Sequence, residues 1–186
     1  MSFVRETGRA IRSTLVLWVI TALIYPLMMV AVGQIAFPFQ ANGSILTNDQ
    51  GQPVGSALIG QPFTSDRYSN RQQDEDNILQ TGVSGASNLA PSNPELLQRV
   101  QATTAQLQQA GIQPTADLVY TSGSSLDPHI TPEAARAQIT RVATTRGLQP
   151  NQLEHLINQN TDGRFLGIFG ELGINVLRLN LALDQL

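Results

Sequence analysis

Residues 13–48 contain no Asp, Glu, Lys or Arg, and the first half of that stretch reads TLVLWVITALIYPLMMVAV. A helix on the surface of a soluble domain shows a polar face, which this run lacks. A bilayer core of about 30 Å asks for about 20 helical residues at about 1.5 Å each. Residues 14–35 supply that length once, so the chain reads as single-pass. Arg5, Arg9 and Arg12 stand before the run against Glu6 alone, and the first charge after it is Asp49. The positive-inside bias then puts the N-terminus in the cytoplasm and the rest of the chain beyond the inner face of the membrane.

A cleaved signal peptide also begins with basic residues, but its apolar core runs about 7 to 15 residues and ends at a small-x-small site. The longer run here, followed by GQIAFPF, fits an uncleaved anchor better. Pro26 in mid-span removes one helix hydrogen bond and predicts a bend, which membrane helices tolerate when neighbours re-satisfy the freed carbonyl. The expected organisation is a cytoplasmic tail over residues 1–12, a transmembrane helix over 13–35, and an extracytoplasmic, periplasmic-side domain over 36–186. By length that domain is one unit with a core of its own.

Composition limits what the domain can do. Three of the 11 basic residues and one of the 14 acidic residues precede the span, so the remainder carries 8 against 13, a formal charge of -5. Nucleic-acid surfaces need clustered positive charge, so none is expected. The absence of Lys excludes a Walker A loop and Schiff-base chemistry, and the absence of Cys excludes thiol catalysis, disulfides and cysteine metal sites.

Short β signals follow the span at residues 44–46 and 57–59, with a turn at Asn48, Asp49 and Gly51 between them. Residues 64–77 are polar and mixed in charge, which reads as a solvated loop. Residues 82–94 (GVSGASNLAPSNP) are rich in small residues and turn formers. Their amides could cradle an anion or make a tight surface loop. A helix starts with Ser92 or Asn93 as cap and Pro94 at its first position, with Leu96, Val100, Thr103 and Leu107 on one face and Gly111 at the stop. Residues 117–121 (DLVYT) read as a buried strand. Thr131 and Pro132 open a second helix with Ala135, Ile139 and Val142 inward and Gly147 past its end; Leu153, Leu156 and Ile157 mark a third. The alternation in INVLRLNLAL, residues 174–183, predicts a half-buried closing strand. The expected fold is therefore a single N-terminal transmembrane helix followed by one mixed α/β (α+β) soluble domain.

The most chemically suggestive loop is SGSSLDPHI, residues 122–130. Ser122, Ser124 or Ser125 with Asp127 and His129 offers the residue types of a hydrolase, but neighbours along one loop seldom reach triad geometry, and no nucleophile elbow is present. The simpler reading is that Asp127 turns the backbone, Pro128 stiffens it and His129 bonds across the loop. With His129 and His155 the only histidines and the carboxylates scattered, no metal site is expected. A tethered domain of this kind acts through partners.

Several long motifs, in order and covering nearly the whole chain, resemble the C subunits (KdpC) of the bacterial Kdp high-affinity potassium-transporting P-type ATPases. They are TALIYPL in the span, QIAFPFQANGSIL after it, GSALIGQPF, SGASNLAPSNPEL, SGSSLDPHITPEAARAQITRVA and INVLRLNLALD. The resemblance implies an accessory, non-catalytic subunit of the bacterial inner membrane, with three partners besides membrane lipid. Those are a potassium-channel-like subunit, the P-type ATPase subunit and a small single-span subunit. Family members are described as catalytic chaperones that raise the ATPase subunit's affinity for ATP. In that picture no cofactor is held firmly, and ATP enters a ternary complex through a loop corresponding to Gly82, Ser84, Gly85, Ser87 and Asn88. Ser122, Gly123, Asp127, Pro128 and His129 form a partner-facing or structural loop. The residues themselves argue against nucleotide contact: ATP is cytoplasmic and the loop is expected outside, with only Arg67 and Arg71 to meet phosphates. Two other readings stand beside this one: an external cap that concentrates cations over the potassium-conducting subunit, and an anchored hydrolase on Ser124, Asp127 and His129.

Overall fold

The computed structural model describes residues 3–71 and 84–186. The chain divides into two compact units, Met1–Ile45 and Leu46–Leu186.

The first unit is dominated by one helical run, Phe3–Ala36, whose most apolar 18-residue window has a mean hydropathy of 2.4 and is not buried. It is long and apolar enough to cross a membrane. The run comprises α1 (Phe3–Val19), a π-helical turn over Ile20–Ile24, and α2 (Tyr25–Ala36). The wide turn is the local answer to Pro26, which has no N–H to give. The Tyr25 N–H donates five residues back, to the Ile20 carbonyl, and the Thr21 hydroxyl donates to the Leu17 carbonyl at 2.8 Å. Phe37 ends α2, and α3 (Pro38–Ala41) is a single turn.

In the second unit, β1 (Ile45–Thr47) and β2 (Pro53–Ser56) form a hairpin whose turn is organised by Asn48. Its side-chain oxygen accepts from the N–H groups of Gln50 and Gln52 at 3.1 and 2.9 Å. The second strand therefore lies ahead of the predicted 57–59. Those residues turn instead, because the Ser56 hydroxyl captures the Leu58 N–H at 3.1 Å.

Helix α4 (Pro94–Gln109) runs as expected, capped by Asn93 accepting from Glu95 N–H at 2.9 Å and followed by Gly111 at φ +69°. Residues 117–121 are not a strand. Ala116–Val119 forms one helical turn, α5, that buries Leu118 and Val119 together. Strand β3 (His129–Ile130) leads to α6 (Pro132–Ala137), capped by Thr131, then α7 (Ile139–Arg146) after a break at Gln138, and α8 (Pro150–Gln159). Strands β4 (Thr161–Asp162) and β5 (Gly173–Asn175) complete a three-stranded antiparallel sheet in the order β3-β5-β4, with His129 opposite Asn175 and Ile130 opposite Ile174.

The predicted closing strand is mostly helix. Only Ile174 and Asn175 continue the sheet, and Val176–Asp184 forms α9. Its buried residues are Val176, Leu177, Leu179, Asn180 and Leu183, the i, i+1, i+3, i+4, i+7 pattern of a helix face. The alternation misleads because Asn180 is inside, not outside. Around α9, the residues Ile130, Ala134, Ala135, Val142, Leu153, Leu156, Ile157 and Ile174 complete the core.

The described part of the predicted solvated loop, residues 64–71, is a strap fastened to this core. The Ser69 N–H donates to the Asn180 side-chain oxygen at 2.9 Å, and the Asn180 amide donates back to the Ser69 carbonyl at 2.8 Å. Gln138 does the same for Asn70, at 3.0 and 2.9 Å. Two fully buried amides thus replace a missing strand partner, which satisfies backbone groups that would otherwise be orphaned. Arg146 adds bonds to the Arg67 and Leu183 carbonyls, an ion pair with Asp184 at 2.7 Å and a position over the Tyr68 ring.

Candidate functional site

The strap delivers Arg71 to the loop that carries the candidate chemistry. Its guanidinium lies 3.1 Å from Asp127 Oδ2 and donates to the His129 carbonyl. Asp127 Oδ1 accepts the His129 N–H at 3.0 Å and sits 3.5 Å from His129 Nδ1. The Asp127 carboxyl is held below the ordinary carboxylate range. The hydrogen bond with the His129 side chain is the main cause, burial opposes it, and the His129 N–H and the Arg71 charge reinforce it. Pro128 fixes the far side, its carbonyl accepting the Val176 N–H at 2.9 Å where α9 begins. Gly60 passes so close that an added Cβ would lie 3.1 Å from the Asp127 carbonyl, so the 126–127 backbone is packed as well as bonded.

The two loops singled out in the sequence meet. The Gly85 N–H and the Ser84 hydroxyl both donate to the Ser124 carbonyl, at 3.2 and 3.3 Å. The Ser87 hydroxyl accepts from Arg99 at 3.3 Å, and Asn88 takes a left-handed conformation at φ +51°. Gly82 lies outside the described residues. Within 122–126 the hydroxyls serve the turn: Ser124 Oγ accepts the Leu126 N–H at 3.1 Å and lies 3.5 Å from Ser122 Oγ, while Gly123 is exposed. Ser125 is left-handed at φ +56°.

A cleft of about 370 Å³ opens beside this cluster, lined by Arg71, Asp127 and His129 together with Asp117, Asp162 and Glu171. It is rich in carboxylates. Asp117 also accepts the Thr131 N–H at 2.7 Å, which fixes it at the start of α6. Among the described residues no group of three or more His, Asp or Glu is placed to hold a metal ion.

The sequence offers Arg71 only as a phosphate contact, and its pairing with Asp127 has no local signal because the partners are far apart in the chain. Asp117 and Glu171 join the cleft in the same way. The turn between β4 and β5 does carry a signal: RFLGIFGE looks like a glycine-rich turn, yet it is mostly apolar.

One helix of bilayer length, followed by a mixed helix and small-sheet domain whose polar cleft is held by hydrogen bonds and ion pairs, defines the class of protein. The chain belongs to the KdpC family, described as K+-transporting ATPase, c chain, whose model matches residues 7–185. It is similar to potassium-transporting ATPase KdpC subunit 1 of a Nostoc species, 65% identical with 100% of this chain and 98% of the relative covered. It is also similar to the KdpC subunits of Microcystis aeruginosa, at 62% identity with 100% and 98% covered, and Geobacter sulfurreducens, at 43% with 98% of each.

Proposed function

We propose that this chain is the non-catalytic accessory subunit of an ATP-driven potassium-uptake complex, needed for assembly and activity. The observation that carries the reading is 65% identity to a potassium-transporting ATPase subunit across the full chain. Its helix crosses the inner membrane once with Arg5, Arg9 and Arg12 inside, and its domain stands outside, where it meets the channel-like and ATP-hydrolysing partners. In that position the carboxylate-lined cleft and the net negative charge would concentrate cations modestly, an effect weakened by salt.

Direct ATP contact through residues 84–88 draws less support. The Gly85 amide is already spent on the Ser124 carbonyl, and the Arg71 charge is matched by Asp127. A hydrolase draws less still, because the Ser124 hydroxyl braces its own turn. The deciding experiment is sidedness with complementation. A phosphatase reporter active only outside the cytoplasm should light up when fused after Leu186, and deletion of this chain should abolish growth at low potassium. Reporter activity confined to the cytosol would overturn the orientation, and undiminished growth would overturn the role.

A further inference from the structure

The turn between β4 and β5 projects RFLGIF from the domain. Phe165 and Phe169 close it with two backbone hydrogen bonds of 2.8 and 3.0 Å. Its apolar side chains face solvent: Phe165, Leu166 and Ile168 are 72%, 73% and 72% exposed, and Phe169 is 61% exposed. Leu166 also sits at φ +53°, the left-handed region in which a bulky side chain is strained and glycine is at ease. A solvent-facing leucine held under strain gains nothing inside its own chain. A cover over the tip would offset both costs.

Charge distinguishes the candidate covers. Loops that enter lipid combine an apolar tip with unpaired basic residues and interfacial Trp or Tyr. This tip has neither, since its neck residue Arg164 is paired with Glu171 at 2.9 Å. With that pair neutral, the exposed carboxylate of Asp162 flanks the tip on a domain that is already acidic. A protein socket with an apolar floor and a neutral or basic rim complements that surface. We propose that the 165–169 tip docks into such a socket on another chain of the potassium-transporting ATPase. The proposal rests on the accessory-subunit reading above.

The chain has no cysteine, so Ile168→Cys carries a bimane label at one place only. The full-length labelled chain, co-purified with the other chains and reconstituted in vesicles, should emit further to the blue than the same chain alone in identical vesicles. An equal blue shift without the other chains would assign the tip to lipid, and one that grows with the density of the labelled chain alone would assign it to a second copy. Either result overturns the proposal. Leu166→Gly, which relieves the backbone, and the double variant Phe165→Ser with Phe169→Ser should each stay folded. Each should raise, by about ten-fold, the concentration of chain needed to half-restore potassium-stimulated ATP hydrolysis to a complex purified without it. Unchanged half-saturation with both variants overturns the docking. Co-purification with an unshifted label removes the docking site alone, whereas failure of the wild-type chain to co-purify removes the accessory-subunit reading too.

Discussion

Asp127 gathers the strap, its own loop and the first strand of the sheet through Arg71 and His129. Asp127→Asn keeps the shape and discards the charge, and should cost about 1 kcal/mol at neutral pH, the modest figure reflecting a carboxylate that is partly exposed. Because the folded-state pKa is depressed, the stabilisation is complete above the unfolded value of 3.8 and disappears as pH falls through the lower folded value. Denaturant melts of the two proteins should therefore differ at pH 7 and converge well below pH 4. Asn180→Ala should be costlier, about 3 kcal/mol, because it strands the Ser69 N–H and carbonyl in a buried site. A loss as small as that of a surface substitution would show that water replaces the amide. The sequence places Asp127, Pro128 and His129 in one loop and marks Asp127 as a backbone turner, which its bond to the His129 N–H matches. It is silent on the Arg71 pairing and on the Asn180 clamp, because both depend on partners that only the finished fold brings near.

Caps and stops are the legible part of the elements. Thr131 and Gly147 stand where the sequence puts them, and Asn93 is the one of two candidate caps, Ser92 and Asn93, that serves, since each acts through the few residues beside it. The short apolar runs at 117–121 and 174–183 suggest the wrong period. Each is too brief for its spacing to decide between strand and helix, and packing against the core settles both as helix. Asn175 holds the key to the second. It ends β5, accepts the Arg178 N–H at 3.1 Å as the cap of α9, and donates to the Ala57 carbonyl at 2.7 Å. Asn175→Ala should cost about 2 kcal/mol, more than a simple cap, and thermal unfolding followed by circular dichroism would register it. Asn175→Asp should lose less than the alanine variant yet fall short of the native chain, since a carboxylate can cap the helix but cannot donate to Ala57.

Across the whole molecule, the long apolar helix is written in composition alone and the domain is written in long-distance pairings. The core is assembled around the last helix of the chain, and the strap near Ser69 is fastened to a residue 111 positions downstream. A ribosome adds about 5 to 20 residues each second, so the strap is made several seconds before its anchor exists. Until α9 emerges, α6, α7 and α8 have one another but lack the helix around which the rest of the core closes. The domain then completes itself only once α9 has been made, and a nascent chain cut short before Asn175 would be left for chaperones and proteases to dispose of.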